Sequence, residues 1–338
     1  MPRTTTMKDV AEAAGVSVMT VSRAFKDDAS VKAKTRELIH KTADEMGYVF
    51  DTVASNLRTQ RSNFVAVIIP SVNNANFAST LRGLSDEIEA TGRQVLLGNS
   101  NYSLKREEQL IDQLLQRRPD AIVLTGGRHS QRARQRLLAA RIPVIETWDL
   151  PDNPVDHVVG FSNAATMEAL VDHLMKRGRK NIAFIGGDTG EDTRGAERRS
   201  GFVAAMLERG LSAHRLAGVG PPPASMSTGA EAMARILTDF PDADAVIGVS
   251  DLAAFGALTE CQRRGVAVPD QVAIAGFGAY EISRVCVPSL TTVDVQPREI
   301  GRSAAKLILE ILDGEPSHAP RKSLLRVPTK ISVGGSAP

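Results

Sequence analysis

Two arginines have the spacing of a binding pair. Arg194 and Arg198 stand four residues apart, so they share one face if a helix begins there. A guanidinium can donate two parallel N–H bonds to a carboxylate, which a neutral hydroxyl cannot match. The pair is therefore a candidate anion site, although Arg194 is explained equally well as a surface charge.

The sequence lacks the motifs that mark common catalytic and cofactor sites. It has no G-x-x-x-x-G-K-[ST] loop, no G-x-G-x-x-G after the first predicted strand and no G-x-S-x-G turn. Its six histidines show no metal-ligand spacing. Cys261 and Cys286 are far apart, which favours two buried reduced thiols. We therefore expect no catalytic residue, no metal and no cofactor.

The composition is that of a globular protein, with 42% hydrophobic and 24% charged residues. Apolar runs are too short to span a bilayer, and the first residues lack the apolar core of a signal peptide. We expect a cytoplasmic protein with no membrane partner. A net charge of +2 does not distinguish partners, so any nucleic-acid argument rests on where the charges lie.

Two short helices separated by a glycine are predicted near the N-terminus. The first spans residues 7–14, Gly15 can end it, and Ser17 can cap the second. In the second helix, Val21, Ala24 and Phe25 share a face, which leaves Val18, Met19, Ser22 and Arg23 pointing outward. This geometry is typical of a helix-turn-helix, although any helical hairpin would satisfy the same pattern.

A third helix is predicted between Thr35 and Met46. One of its faces is apolar, formed by Leu38, Ile39, Thr42, Ala43 and Met46. Lys32, Lys34 and Arg36 crowd its start, where basic residues oppose the helix dipole. Nearby phosphates would explain them, and a solvated charged turn would explain them too.

The rest of the chain alternates short apolar runs with helical stretches. The runs cover residues 64–70, 94–100, 121–126, 143–148, 158–162, 181–187, 244–250 and 272–278. Such runs predict parallel strands covered on both faces by helices. The pattern restarts near residue 162, which predicts two similar α/β lobes. Ligands of such sheets bind at the carboxyl ends of the strands, here in the cleft between the lobes.

These segments resemble the LacI/GalR family of bacterial transcription regulators. The N-terminal resemblance lies in V-A-E-A-A-G-V-S-V-M-T-V-S-R, V-K-A-K-T-R-E and M-G-Y; further along it lies in E-R-R-S-G-F, S-D-L-A-A-F-G-A, V-P-D-Q-V-A-I-A-G-F and P-S-L-T-T-V. The resemblance implies an α/β protein with an all-α helix-turn-helix headpiece. It also implies a two-lobed effector domain with parallel sheets, similar to the periplasmic binding proteins.

The resemblance also implies the DNA-contacting residues. Val18, Met19 and Arg23 match the positions that contact bases in the major groove. A hinge helix over 53–57 is implied to fold on DNA, with Leu57 inserted into the minor groove. The full implied set is Thr6, Ser17, Val18, Met19, Thr20, Ser22, Arg23, Lys34, Thr35, Asn56, Leu57 and Arg58.

The effector-binding residues implied by the resemblance are Asn76, Phe77, Trp148, Arg194, Arg198, Ser250, Asp251 and Phe277. Trp148 could stack on a polyol or pack in the core. Many sugar-binding members have an Asp where this chain has Gly278. That departure, V-I-E-T-W-D and the V-G-G-S ending look most like the gluconate-operon repressor branch. With no acceptor at Gly278, the arginine pair favours an anionic ligand.

The expected domains are a headpiece (1–50), a hinge (51–61) and an effector-binding and dimerisation domain (62–338). The N-lobe is assigned to 62–161 and 290–321, and the C-lobe to 162–289 and 322–338. We expect a homodimeric, non-enzymatic repressor that binds a partly palindromic double-stranded operator. Its expected effector is a sugar acid such as gluconate or a ketogluconate. The alternatives are a cytoplasmic carbohydrate-binding α/β protein and a regulator that responds to a neutral sugar.

Overall fold

The computed structural model describes residues 5–26, 29–50, 62–314 and 322–338. The chain divides into two compact units, residues 1–62 and residues 63–338. We call them the headpiece and the effector domain. The predicted hinge residues Asn56, Leu57 and Arg58 lie outside the described residues. None of the described helices has the length and hydropathy of a membrane span.

The headpiece contains the three helices that the sequence predicts: α1 (Met7–Ala13), α2 (Val18–Ala24) and α3 (Ala33–Glu45). Thr6 caps α1 through a capping box with Asp9. Gly15 has a φ of +65°, which lets the chain turn between α1 and α2 without a Cβ penalty. The Ser17 side chain then accepts a hydrogen bond from the Thr20 N–H at 3.1 Å and caps α2.

A small apolar core joins the three helices. Its buried members are Val10, Ala11, Val21, Ala24, Val31, Ile39 and Ala43. Phe25 closes one side and stacks on Phe50, with ring centroids 4.9 Å apart. Leu38 was expected on this apolar face but is 49% exposed, because Ile39 and Ala43 fill the contact instead.

The N-lobe of the effector domain is built on one six-stranded sheet with the order β11-β5-β4-β3-β1-β2. Its strands are β1 (Phe64–Ile69), β2 (Gln94–Asn99), β3 (Ala121–Thr125), β4 (Val144–Thr147), β5 (His157–Gly160) and β11 (Leu324–Arg326). The neighbouring helices are α4 (Ala75–Glu89), α5 (Leu104–Gln116), α6 (Gln131–Ala140) and α12 (Pro297–Asp313). Gly83 and Gly301 let α4 and α12 pack closely, because a Cβ at either position would clash with backbone oxygen of the other helix.

The C-lobe is built on a second six-stranded sheet with the order β12-β10-β9-β8-β6-β7. Its strands are β6 (Ile182–Ile185), β7 (Leu216–Ala217), β8 (Ala245–Gly248), β9 (Ala273–Phe277), β10 (Thr291–Asp294) and β12 (Lys330–Ser332). Its helices are α7 (Asn163–Met175), α8 (Thr193–Glu208), α9 (Met226–Asp239), α10 (Asp251–Arg263) and α11 (Glu281–Val285). All the predicted strands are present in the two sheets, and their mutual pairing is parallel.

The predicted division of the C-terminal segment between the lobes is wrong in two places. Residues 291–294 were assigned to the N-lobe, but β10 pairs with β9 and β12 in the C-lobe sheet. Residues 324–326 were assigned to the C-lobe, but β11 pairs in parallel with β5 in the N-lobe sheet. The chain therefore crosses between the lobes three times, after β5, β10 and β11.

Candidate functional site

The outward face of α2 is the candidate DNA-reading surface. Val18 and Met19 are 44% and 51% exposed, whereas Val21 and Ala24 are fully buried on the other face. Arg23 is exposed one turn further along the helix. An apolar pair left in solvent at the start of a capped helix gains nothing for the fold, so a partner surface explains it better than packing does.

The remaining headpiece candidates lie around this face or at helix ends. Thr20 is half-buried, and its hydroxyl lies 2.8 Å from that of Ser17. Thr6 is held by its capping interaction with Asp9. Lys34 is exposed in the first turn of α3, where Lys32 occupies the N-cap position, and Thr35 beside it is half-buried. Basic side chains thus stand at the start of α3, as predicted.

A cavity of about 220 Å³ lies between the lobes of the effector domain. The N-lobe lines it with Ser71, Asn73, Asn74, Asn76, Phe77, Tyr102 and Trp148. The C-lobe lines it with Asp192, Arg194, Arg198, Pro223, Ala224, Ser225, Met226, Val249, Ser250, Leu252, Phe277 and Tyr280. Many of these residues stand just beyond the carboxyl ends of strands, which is where ligands bind in open α/β sheets.

Arg198 is buried in the cavity wall. Its guanidinium donates to Asn163 Oδ1 at 2.7 Å and lies over the Phe277 ring, 4.3 Å from its centroid. Among the described residues, its Nε–H has no hydrogen-bond partner. Burial lowers the pKa of this guanidinium, which is the direction expected when a cation lacks solvation. The site therefore holds a buried cation with unused donor capacity.

Arg194 lines the same cavity but bonds across the cleft. It belongs to the C-lobe, yet its guanidinium donates to the Thr125 carbonyl of the N-lobe at 2.9 Å. It also lies 5.5 Å from the centroid of the Phe77 ring, another N-lobe side chain. The alternative that Arg194 is only a surface charge is wrong, because Arg194 is buried. It connects the two lobes.

Trp148 forms an aromatic wall with Phe77, which it meets edge-on at a centroid distance of 5.2 Å. Its indole N–H donates to Thr80 Oγ1 at 3.1 Å. Its backbone has a φ of +70°, which is uncommon for a bulky residue. The tryptophan therefore both packs in the N-lobe and presents a surface to the cavity.

Asp251 does not line the cavity, unlike the other predicted effector-binding residues. Its carboxylate accepts hydrogen bonds from Thr292 Oγ1 at 2.6 Å and from the Tyr280 N–H at 2.7 Å. Burial raises its pKa to about 6. Asp251 is thus a structural anchor for the segment around Tyr280. Its neighbour Ser250 lines the cavity and caps α10.

The backbone conformation and close packing at Gly278 explain why this position has no aspartate to act as a hydrogen-bond acceptor. Its φ is +120°, and a Cβ there would come within 2.6 Å of Asn76 Nδ2 and 2.7 Å of the Tyr280 ring. Its carbonyl accepts a hydrogen bond from Asn76 Nδ2 at 2.9 Å across the cleft. The position therefore contributes backbone to the contact between the lobes and leaves no space for a side chain.

Several lining residues were missed by the sequence analysis. Ser71, Asn73 and Asn74 directly follow β1, and Tyr102 follows β2, so the strand-end rule could have found them. Burial, with a smaller contribution from Asp192, raises the pKa of Tyr102. Residues 223–226 follow β7. That strand is too short to form an apolar run, so the sequence did not indicate that a strand ends before these residues.

A cluster of buried charges around His129 does not belong to the cavity lining. His129 Nδ1 is 2.7 Å from Glu107 Oε1, and its Nε2 is 3.3 Å from Glu146 Oε1. Burial acts to lower the pKa of His129, yet the two carboxylates raise it to about 9. Within the described ranges, no group of His, Cys, Asp and Glu is placed to hold a metal ion.

Comparison with known proteins agrees with this architecture. Residues 6–51 match the model of the bacterial regulatory proteins of the lacI family, and residues 171–337 match a periplasmic binding protein-like domain. The HTH-type transcriptional regulator GntR of Pseudomonas aeruginosa is 36% identical over 310 residues, covering 92% of this chain and 90% of that protein. The chain belongs to the LacI family.

Two further relatives support the assignment. The HTH-type transcriptional regulator IdnR of Escherichia coli K12 is 35% identical over 316 residues, covering 92% of this chain and 93% of that protein. The crystal structure of a LacI-family regulator from Silicibacter pomeroyi superposes with a TM-score of 0.91 at 33% identity, covering 98% of this chain and 99% of that one. The protein is a DNA-binding transcriptional regulator and not an enzyme, and the predicted family and fold class are confirmed.

Proposed function

We propose that this LacI-family regulator binds a sugar acid, such as gluconate or a ketogluconate, and that this ligand controls its binding to operator DNA. Arg198 carries the proposal. It is buried, it lines the cavity, and its Nε–H lacks a partner among the described residues. Burying a cation is costly unless it is paired. A carboxylate in the cavity would pair with this guanidinium through charge-assisted hydrogen bonds.

The cavity suits a small polyhydroxylated acid. At about 220 Å³ it is smaller than pockets for drug-sized ligands, which span roughly 300–1,000 Å³. Phe77, Trp148 and Phe277 offer apolar faces to the C–H side of a polyol. Ser71, Asn73, Asn74 and Ser250 offer hydrogen-bonding groups to its hydroxyls. The resemblance to the gluconate-operon repressor branch agrees with this chemistry.

For the headpiece, we propose that α2 enters the major groove of a partly palindromic operator bound by a homodimer. Val18, Met19 and Arg23 are the proposed base-contacting residues, and their exposure supports the assignment. Thr6, Ser17, Thr20, Ser22, Lys34 and Thr35 are proposed to contact DNA around them, with Asn56, Leu57 and Arg58 in the hinge. This regulator would act in the cytoplasm, where its operator is.

Thermal unfolding with added ligand tests the effector. At about 100 times its dissociation constant, a ligand of the native state adds about 2.7 kcal/mol of stability. Gluconate or a ketogluconate should therefore raise the melting temperature clearly, and glucose should have little effect. Arg198→Ala should lose the response to the acid and keep operator binding.

Arg263→Ala is the matched control, because Arg263 is an exposed arginine of the same lobe that does not line the cavity. It should respond to gluconate as the wild type does. Equal shifts with glucose and gluconate, or a full response in Arg198→Ala, would contradict a sugar acid as the effector. The family assignment does not depend on this result.

A further inference from the structure

Asp192 lies between the two cavity arginines. Its Oδ1 is 3.8 Å from Arg194 Nη2, and its Oδ2 is 3.9 Å from Arg198 Nη2. These distances are too long for hydrogen bonds but short enough for strong electrostatic interaction. The carboxylate fits there because residue 195 is glycine, and a Cβ at that position would clash with Asp192 Oδ2.

The cavity lining has more positively than negatively charged side chains. Two arginines and one aspartate leave one net positive charge on the lining. Just outside the lining, Glu197 of the C-lobe hydrogen-bonds to Asp149, which follows β4 of the N-lobe. Burial, and then Asp149, raise the pKa of Glu197 to about 7, so the Glu197 carboxyl is partly protonated near neutral pH. The lining thus has one net positive charge, which a single carboxylate of a ligand would neutralise.

Resting on the proposed sugar-acid effector, we propose that Asp192 limits the effector to a single negative charge. One carboxylate of the ligand pairs with Arg198. Asp192 lines the same cavity of about 220 Å³, so the other end of a six-carbon acid would be confined with this carboxylate. A second carboxylate there would be buried, unpaired and repelled, and an unpaired buried charge is costly. The site therefore accepts an aldonate or ketoaldonate and rejects the corresponding aldarate.

The test uses three open-chain ligands of equal carbon number and rising charge: glucitol, gluconate and glucarate. Their affinities for the purified full-length protein are measured by isothermal titration calorimetry. The wild type should bind gluconate best. Asp192→Asn keeps the shape of the side chain and removes its charge, so it should raise the affinity for glucarate relative to gluconate by about tenfold.

Glu191→Gln is the control, because it removes the same charge one residue away, from an exposed side chain outside the cavity lining. Its ratio of gluconate to glucarate affinity should match the wild type. Asp192→Ser provides a second neutral variant if Asp192→Asn does not fold, as judged by circular dichroism.

Two results would overturn the proposal. An unchanged ratio of gluconate to glucarate affinity in the folded neutral variants would show that Asp192 does not select charge. Loss of all ligand binding in those variants would show that Asp192 accepts hydrogen bonds from ligand hydroxyls instead. A wild-type protein that binds glucitol as well as gluconate would contradict the proposed function itself, and that result is obtained without any variant.

Discussion

At the scale of single residues, Gly278 joins the lobes through its backbone. Its carbonyl accepts from Asn76 across the cleft, at a φ of +120° that side chains rarely adopt. The family resemblance implies an aspartate at this position in many sugar-binding members. Here that aspartate would collide with Asn76 and Tyr280, so the proposed selectivity depends on Arg198 and Asp192 instead.

Gly278→Asp should therefore destabilise the protein without creating a site for neutral sugars. Backbone strain of this kind costs about 1–3 kcal/mol, and the clash with Asn76 adds to it. The free energy of unfolding in urea and the response to glucose measure the two effects.

Gly210→Asp is the comparison for this variant. Gly210 also has a positive φ, +69°, but a Cβ there would meet nothing within 4 Å. Aspartate tolerates that left-handed conformation well. A Gly278→Asp protein as stable as Gly210→Asp would contradict the role assigned to Gly278.

The family resemblance predicted much of the cavity lining but not the direction of every side chain. Arg198, Phe77 and Trp148, which were expected from positions that match the family, do line the cavity. Asp251 was placed wrongly, although its neighbour Ser250 was right. Successive residues of a helix point about 100° apart, so one side chain faces the cavity while the next enters the core. Spacing along the chain does not show which is which.

At the scale of elements, α2 combines a fully buried face with an exposed apolar start. Ser17 caps it, Val21 and Ala24 hold it against the headpiece core, and Val18 and Met19 remain in solvent. The helix is fixed on one side and available on the other. A reading helix needs both properties, since base contacts require a rigid support.

Arg23→Ala should relax operator specificity at one symmetric pair of base positions. A bidentate arginine–guanine contact contributes about 1–3 kcal/mol of discrimination. Selection of binding sites from a random DNA library would measure the change. Lys41→Ala is the control, because Lys41 is an exposed α3 residue that pairs with Glu45. The same base preferences in Arg23→Ala as in the wild type would show that Arg23 reads no base.

The strands near the C-terminus were not predicted from the sequence, and they were missed for a common reason. The central parallel strands are long apolar runs such as β1 and β3, which any periodicity analysis detects. The strands near the C-terminus are short, and Leu324 and Leu325 of β11 are 48% and 40% exposed. Their pairing depends on strands that are distant in sequence, so local composition does not predict it.

At the scale of the whole molecule, the effector domain is two lobes connected by three chain crossings and by contacts across the cleft. Arg194 with Thr125 and Asn76 with Gly278 are two such contacts. A ligand that bonds to both walls would stabilise this arrangement relative to a more open one. Its effect on the operator would follow from that difference in affinity.

The effects of ligand and operator DNA on each other's affinity must be equal, which can be measured. If gluconate changes operator affinity by a given factor, operator DNA must change gluconate affinity by the same factor, typically equivalent to about 1–3 kcal/mol. Fluorescence anisotropy with labelled operator and calorimetry with and without operator measure the two factors. Arg198→Ala should show neither change. A gluconate affinity that is the same in the presence and absence of operator would contradict control by this effector.

The three crossings also bear on how the protein is made. The headpiece is continuous in sequence, so it can fold as soon as it leaves the ribosome, whereas neither lobe is complete until the last part of the chain has been synthesised. The N-lobe waits for α12 and β11, and the C-lobe waits for β12 and for Ser336, whose hydroxyl donates to Ile274 in its central sheet. A nascent chain would therefore carry a folded DNA-binding headpiece before it has any ligand-binding cleft.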